Sequence, residues 1–330
     1  SHVANVLTQG EYLCQTVQKE KSTLWVWGVL ILLAFVWGSS FILMKTAMFD
    51  VHGSKVYSPL EVAALRISIA AIVMLPIALR YLKSITREKW IWLLVIGTLG
   101  NLLPAYLFTT AQTQLPSAVV GMLNSLTPLF TMLVAVIIFG TALSWKQLSG
   151  LVIGFIGAGI LILSGGNVFE SGDEIAWGAC GKVALATLFY GISVNVLKEK
   201  LMGIPSVAIA AIALLLVLAP SLIMLSFSNV IETFNSHDSG VISMVAIIVL
   251  SVFGTAGALV LFNSLIKWTN ALTASSVTYI IPLFAAMWGW LDGEVLTKWH
   301  LLGGGVIICG VALVNFRANQ VSSRKVGQYE

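Results

Sequence analysis

Charged side chains are scarce in this sequence of 330 residues. Lys, Arg, Asp and Glu together make up 10% of it, whereas soluble domains contain about 25%. Hydrophobic residues make up 58%, and the mean hydropathy is +0.94. This composition excludes an ordinary water-soluble domain and indicates a protein that is embedded in lipid.

Residue patterns for metal, redox or nucleotide chemistry are also missing. The three cysteines contain no CxxC pair, and the four histidines lie in the tail, in loops or at a span edge. GACGKV at 178–183 lacks the GxxxxGK[ST] spacing of a phosphate-binding loop. We therefore expect no metal, no cofactor, no ATP drive and no nucleic-acid partner. A lipid-modifying membrane enzyme would need a buried nucleophile or acid/base pair, and the sequence shows none.

The sequence contains apolar runs near 20 residues long, the length of a helix that crosses a hydrocarbon core of ~30 Å. The first residues lack the charged-then-apolar pattern of a signal peptide, so we expect no removable one in this sequence. We divide the chain into a polar or interfacial tail (1–23), two five-helix units (24–165 and 173–318) and a cytoplasmic tail (319–330). The predicted fold is an all-α integral membrane protein with ten helices, at 24–46, 59–80, 89–111, 117–139, 147–164, 174–197, 205–227, 240–266, 270–291 and 299–317.

The lysines and arginines predict the orientation, because they concentrate in cytoplasmic loops. With the N-terminus inside, thirteen of them fall in inner segments, and only Lys55 and Lys298 fall in outer loops. Tryptophans near the span ends fit interfacial anchors. We expect a multi-pass protein of the cell (inner or plasma) membrane with both termini cytoplasmic.

The two units are related by an internal repeat. A displacement of 153 or 154 residues superposes Trp37 on Tyr190, Ser40 on Ser193, Lys45 on Lys198, Gly100 on Gly254, Phe108 on Phe262 and Pro128 on Pro282. Each unit holds five spans, so the second must enter the membrane from the opposite side. Inverted repeats are typical of secondary transporters that bind substrate between the halves. We predict that the two superposed prolines bend the fourth and ninth spans beside a central cavity.

Four segments carry a resemblance to a known family: FVWGSSFILMK (35–45), AALRISIAAIVML (63–75), AVVGMLNSLTPLFTMLVAVIIFG (118–140) and SSVTYIIPLFAAMWGWLDGEVLT (275–297). The chain resembles the EamA branch of the drug/metabolite transporter superfamily, from about residue 24 to 318. The family usually ends its fourth span with Gly-Glu. The second unit has Gly293-Glu294 there, but the first has Phe139-Gly140. The resemblance implies transport of amino acids, other metabolites, cofactors or drugs.

Two cations lie inside predicted spans and are candidates for substrate binding, since a membrane-buried charge is costly. Arg66 and Lys182 would each sit roughly 10–12 Å from the outer side. Lys182 shares a helical face with Tyr190 and Ser193, which would line a cavity able to hold a carboxylate or phosphate. Lys182 would otherwise snorkel to the interface. Arg66 would otherwise join helices, with Glu61 as a candidate partner.

Further polar and aromatic residues are candidates for the cavity wall, with ordinary interhelical bonding as the alternative for each. They are Trp37, Ser40, Asn101, Tyr106, Asn124, Asn195, Thr255, Tyr279 and Trp288. Pro128 and Pro282 are the candidate gating kinks.

No carboxylate lies at mid-membrane depth, which favours facilitated diffusion or exchange over ion-driven pumping. The predicted function is alternating-access transport of amino acids or related carboxylate-bearing solutes. Efflux of lipophilic drugs, a channel and a lipid-modifying enzyme are the alternatives. The expected partners are a small-molecule substrate and membrane lipid, and both a monomer and a homodimer remain open.

Overall fold

The computed structural model describes residues 23–164, 176–269, 274 and 277–315, and the statements below concern these residues. The predicted terminal tails, apart from Thr23, and the predicted boundary near residues 165–173 lie outside them. Apart from one isolated antiparallel bridge between Phe49 and Lys55, the regular structure described is helical. The α-helices are α1 (Thr23–Met48), α2 (Pro59–Tyr81), α3 (Lys89–Gly97), α4 (Leu103–Ala111), α5 (Ser117–Leu123), α6 (Thr127–Ile137), α7 (Trp145–Ser164), α8 (Trp177–Lys200), α9 (Ser206–Leu216), α10 (Leu218–Ser226), α11 (Val230–Ser236), α12 (Gly240–Val249), α13 (Ala258–Trp268), α14 (Val277–Leu291) and α15 (Lys298–Asn315).

Several of these helices join into longer apolar stretches. Eight stretches within the described residues are long and apolar enough to cross a membrane: Leu24–Met48, Pro59–Ser84, Lys89–Ala111, Ser117–Ile137, Trp145–Leu163, Trp177–Lys200, Ser206–Ser226 and Gly240–Trp268. The helices α14 and α15 are apolar but shorter, with 15 and 18 residues. The chain is therefore a helical, multi-pass membrane protein, and the count of ten crossings stays a prediction.

Two stretches contain a π-helical segment at repeat-related places. Thr98–Leu102 joins α3 to α4, and Leu250–Gly257 joins α12 to α13. The Asn101 amide donates to the carbonyl of Ile96 at 3.0 Å, and the Thr255 hydroxyl donates to the carbonyl of Leu250 at 3.2 Å. Both acceptors lie five residues back, so each side chain supports the wider turn. Such π segments are rare and are frequent at functional sites.

The two repeated prolines differ in their local structure. Pro128 lies in the first turn of α6, directly after a 3₁₀ turn at Asn124–Leu126, and therefore starts a helical segment. Pro282 lies inside α14. The prediction that both prolines act alike, as bends within their spans, is thus corrected. A missing N–H is tolerated at a helix start, whereas inside a helix it leaves a carbonyl that needs another donor. Their role in gating stays a prediction.

Other hydrogen-bond donors reach both carbonyls that these prolines leave. The Thr127 hydroxyl donates to the carbonyl of Asn124 at 2.8 Å. The Ser125 hydroxyl donates to the carbonyl of Thr278 at 3.0 Å and so connects the first repeat to α14 of the second. A polar backbone group in a membrane needs such a partner because no water replaces it.

Glycines bring α7 and α15 close together. A Cβ atom on Gly310 would lie 2.4 Å from the backbone nitrogen of Gly154, and one on Gly157 would lie 2.5 Å from that of Ile307. This backbone contact is the small-residue packing typical of membrane helices.

Candidate functional site

A central cavity lies between the two repeats. It is lined by residues of α1, α2, α3, α4, α6, α8, α9, α13 and α14, of both π segments and of the turn before α6. Its volume is about 130 Å³. Seven of the twelve predicted binding residues line it: Trp37, Ser40, Arg66, Asn101, Asn124, Tyr190 and Thr255.

Arg66 contributes the one formal charge among the described residues that line this cavity. Its side chain is buried, with 8% of its surface exposed. Nε donates to the Thr255 hydroxyl at 2.7 Å, and Nη1 approaches the Met44 sulfur at 3.7 Å. Within the described residues the salt bridges involve other groups, so these two contacts leave the Arg66 charge without a carboxylate partner.

The suggested pairing of Arg66 with Glu61 is wrong. Glu61 instead closes a capping box with Ser58 at the start of α2, and its other oxygen accepts the backbone N–H of Asn229 at 3.2 Å. Glu61 therefore holds the start of α2 and the chain near Asn229, whereas Arg66, five residues later, faces the cavity.

Two aromatic pairs form part of the cavity wall. The rings of Trp37 and Phe262 meet edge to face with centroids 5.0 Å apart, and those of Tyr190 and Phe108 stack at 5.8 Å. Trp37 and Tyr190 are repeat-related, and so are the two phenylalanines. The two pairs therefore join the same repeat-related positions across the halves, although the rings meet edge to face in one pair and stack in the other.

The hydroxyls of Ser40 and Ser193 follow the same symmetry. A Cβ on Gly254 would lie 2.9 Å from the Ser40 oxygen, and one on Gly100 would lie 2.4 Å from the Ser193 oxygen. Each π segment thus needs a glycine where a serine of the other half approaches. The indole N–H of Trp37 also donates to the carbonyl of Gly254 at 3.2 Å.

Five predicted binding residues lie outside the cavity, and their predicted place is corrected. Tyr106 is 38% exposed on the helix surface. The Asn195 amide donates to the carbonyls of Thr131 and Gly191, at 2.9 and 2.8 Å. Asn195 therefore joins α8 to α6, which is the interhelical bonding considered as its alternative.

Tyr279 and Trp288 also join helices. The Tyr279 hydroxyl donates to the carbonyl of Val311 in α15 at 2.7 Å, and the Trp288 indole donates to the Ser39 hydroxyl in α1 at 2.8 Å. Both side chains fix the position of α14 against its neighbours.

Lys182 is half-buried but is not part of the cavity wall. It precedes Tyr190 by eight residues, which is ~12 Å along the axis of α8. Residues on one helical face point to the same side of the helix, but the cavity does not extend along the whole of α8 and ends before Lys182. This position agrees with the alternative prediction for Lys182, in which its long side chain extends to the membrane interface.

Several lining residues were missed by the sequence reasoning. Phe108 and Phe262 were visible as a repeated pair but were not considered as cavity residues. The polar residues among those missed are Thr127, Thr131, Asn263 and Thr278, and nothing in the sequence separates them from ordinary helix contacts. Ser193, which the sequence placed on the same helical face as Tyr190, does line the cavity.

Metal-ion chemistry has no visible site in the described part of the chain, since no group of three His, Cys, Asp or Glu residues there could hold an ion. The cavity instead offers a cation, hydroxyls, amides and aromatic rings. This set is suited to holding an organic solute, and a solute site enclosed by membrane helices defines the class of membrane transporters.

Comparison with known proteins agrees with this class. The model of the EamA-like transporter family matches twice, over residues 24–163 and 177–316. The chain belongs to this family, and its localisation is that of a multi-pass membrane protein.

Curated relatives are transporters at low sequence identity. The chain is 25% identical over 307 residues to the S-adenosylmethionine/S-adenosylhomocysteine transporter of Chlamydia muridarum, covering 89% of this chain and 94% of that protein. It is 27% identical over 302 residues to the uncharacterized inner membrane transporter YedA of Escherichia coli K12, covering 88% and 90%. It is 23% identical to a probable terminal-alkyne amino-acid exporter of Streptantibioticus cattleyicolor, covering 88% and 93%.

A solved crystal structure has the same fold. It matches with a TM-score of 0.60 and 15% sequence identity, over 89% of this chain and 97% of that chain. At this identity the match supports the arrangement of the helices and carries no information on substrate.

Proposed function

We propose that this protein is a secondary, ATP-independent transporter that moves small carboxylate-bearing metabolites, such as amino acids and their derivatives, through the central cavity. The observation that carries the proposal is Arg66, a buried cation on the cavity wall whose described contacts are a hydroxyl and a thioether. Charges inside membrane proteins are expensive and mark substrate pathways by default.

A carboxylate fits the Arg66 position better than a neutral group does. The planar guanidinium can donate two parallel hydrogen bonds to a carboxylate, and hydrogen bonds between ionised groups are about twice as strong as neutral ones. The Thr255 hydroxyl already accepts from Nε at 2.7 Å and fixes the plane of the guanidinium. A bound carboxylate would thus meet a donor that is already oriented.

The aromatic pairs favour a solute that also has an apolar or planar part. Trp37 with Phe262 and Tyr190 with Phe108 supply ring faces and edges beside the polar groups. The names of two relatives, an S-adenosylmethionine/S-adenosylhomocysteine transporter and an amino-acid exporter, both describe solutes with an amino-acid carboxylate. They support this class of substrate without choosing a member of it.

The proposed mechanism is alternating access between two inverted five-helix halves. The repeated family match, the symmetric aromatic pairs and the two π segments support equivalent halves around one site. The helices α14 and α15 would be the ninth and tenth spans, and the lysine and arginine distribution supports cytoplasmic termini. Arg66 is the one charged residue among the described lining residues. We therefore favour facilitated diffusion or exchange, which needs no ion-binding carboxylate, over ion-driven pumping.

Efflux of lipophilic drugs is the second candidate, since the aromatic walls would also hold an apolar ring. The two candidates differ in the role of Arg66. A lipophilic cation would be repelled by this guanidinium, whereas a carboxylate would be attracted by it.

Thermal stability of the detergent-purified protein distinguishes these candidates, because a ligand that binds the folded state raises its melting temperature. The panel contains L-amino acids, S-adenosylmethionine, organic acids, phosphorylated metabolites and lipophilic cations. We expect a carboxylate to stabilise the parent and the control variant Lys182→Gln, but not Arg66→Gln. Stabilisation by lipophilic cations alone, equal in all three proteins, would contradict the proposal.

A further inference from the structure

Glu294 is a buried carboxylate, with 5% of its side chain exposed, and it contacts Lys45, whose neighbour Met44 lines the cavity. Its two oxygens accept the backbone N–H groups of Ser117 and Ala118 at 2.8 and 3.0 Å. Lys45 donates to the same carboxylate at 3.1 Å and pairs with Asp292 at 2.5 Å. These contacts join the end of α1, the loop after α14 and the start of the Ser117–Ile137 stretch.

The local backbone is shaped for this contact. Gly293 has a φ of +83°, a conformation that other residues adopt only with strain, and it turns the chain so that the N–H of Glu294 bonds to the carbonyl of Gly289 at 2.8 Å. A Cβ on Gly289 would lie 2.5 Å from Oε2 of Glu294. Two glycines therefore bring the carboxylate to the helix start and leave room for it.

Two further contacts lie next to this carboxylate. The Gln112 amide donates to the carbonyl of Phe41 at 2.9 Å and to the Ser117 hydroxyl at 3.2 Å. The Phe41 and Phe108 rings meet edge to face at 5.8 Å, and both line the cavity. Phe41 thus connects the cavity wall to the Gln112 amide, and Ser117 connects Gln112 to Glu294.

The repeat-related end lacks these groups. The repeat places Phe139-Gly140 against Gly293-Glu294, and the positive φ of Gly140 (+64°) instead makes it the conformational counterpart of Gly293. In either alignment the first unit has no glutamate here, since Gly140 is followed by the exposed Thr141. Lys198 matches Lys45, and its neighbour Glu199 lies 3.6 Å away with both side chains about half exposed. Val194 stands in the place of Phe41, and Ile266 in that of Gln112.

We propose that Lys45, Glu294 and Asp292 form an ionic gate at one end of the cavity, here called the Lys45 gate, and that the other end closes without an ionic counterpart. This inference rests on the proposed alternating access, because a gate is needed only if the cavity opens to each side in turn. Opening at the Lys45 end removes charge-assisted bonds to Glu294 and uncaps the Ser117–Ile137 helix. The gate thus stabilises the state that is closed at this end.

Accessibility of a cavity cysteine tests the gate without any substrate. Ser40→Cys is placed on the cavity wall in a full-length background in which Cys14, Cys180 and Cys309 are alanine, and a membrane-impermeant maleimide is applied to vesicles. Val51→Cys, in the exposed loop that follows α1, identifies the vesicle orientation that presents the Lys45 end. The measured quantity is the labelling rate of Ser40→Cys relative to Val51→Cys.

We expect Glu294→Gln and Lys45→Met to raise this relative rate about tenfold or more, since bonds to charged groups shift a two-state equilibrium by such factors. Asp292→Asn, at a position 40% exposed, should raise it less. The matched control Lys198→Met should leave it unchanged. Lys45→Met keeps the bonds from the N–H groups of Ser117 and Ala118 to Glu294. Its labelling rate therefore tests the gate even if Glu294→Gln does not fold.

Unchanged labelling in Lys45→Met and Glu294→Gln would overturn the gate, and so would an equal increase in Lys198→Met. Neither result depends on carboxylate binding. If the gate responds as expected while no carboxylate stabilises the protein, the failure lies in the proposed substrate class and not in the gate.

Discussion

The hydrogen bond from Ser125 to the carbonyl of Thr278 gives a prediction with a defined size. Pro282 lacks the N–H that would bond to this carbonyl within α14, and Ser125 supplies the donor at 3.0 Å. Ser125→Ala should therefore remove the hydrogen bond that this buried residue accepts from the other repeat, and such a loss costs up to about 1–3 kcal/mol in the free energy of unfolding. Interhelical hydrogen bonds in membrane proteins average about 0.6 kcal/mol, so we expect a loss of about 1–2 kcal/mol.

A double-mutant cycle separates this cause from a general packing effect. Pro282→Ala returns a backbone N–H to α14, which can bond to the carbonyl of Thr278 without Ser125. Ser125→Ala should then cost about 1 kcal/mol less in the Pro282→Ala background than in the parent, since the two groups serve one acceptor. The assay is reversible unfolding in mixed micelles, followed by circular dichroism. An equal cost of Ser125→Ala in both backgrounds would refute the reasoning.

The remaining predictions concern the helix contact of α7 with α15 and the position of Arg66. Gly310→Leu should lower the melting temperature strongly, because its Cβ would lie 2.4 Å from the Gly154 backbone, whereas Gly305→Leu, with open space around its Cβ, should change it little. Equal shifts would contradict the close contact. Thr255→Val removes the acceptor that orients Arg66 and should weaken carboxylate binding about tenfold, with Thr255→Ser restoring it. Calorimetric dissociation constants decide this, and unchanged affinity in Thr255→Val would contradict the positioning role.

Part of this architecture could be predicted from the sequence because apolar run length and repeat spacing are direct physical signals. A helix lies at the place of each predicted span. Trp37 and Tyr190, which the repeat superposes, both line the cavity. Sequence periodicity does not indicate where a cavity ends, so Lys182 was included although it lies beyond the wall. It also does not distinguish a cavity-facing hydroxyl from one that joins helices, as Tyr279 shows.

The local structure at Pro128 could not be predicted for a different reason. A proline indicates a lost hydrogen bond, but a helix can accommodate it inside or restart after it, and the neighbours decide. At Pro128, the turn at Asn124–Leu126 and the Thr127 hydroxyl, which bonds to the carbonyl of Asn124, allow a new helix to begin. At Pro282, the Ser125 hydroxyl of the other repeat bonds to the carbonyl of Thr278, so α14 continues. Contacts of this kind join residues far apart in sequence.

The most direct test of the carboxylate site compares each ligand with its neutral carboxamide, in the parent and in Arg66→Gln. S-adenosylhomocysteine and the L-amino acids that stabilise the parent serve as ligands, and calorimetry gives their dissociation constants. We predict that the parent binds the carboxylate about 10–100 times more tightly than the amide, as hydrogen bonds to charged groups allow, and that this ratio falls close to one in Arg66→Gln. A preference for the carboxylate that survives in Arg66→Gln would contradict the account.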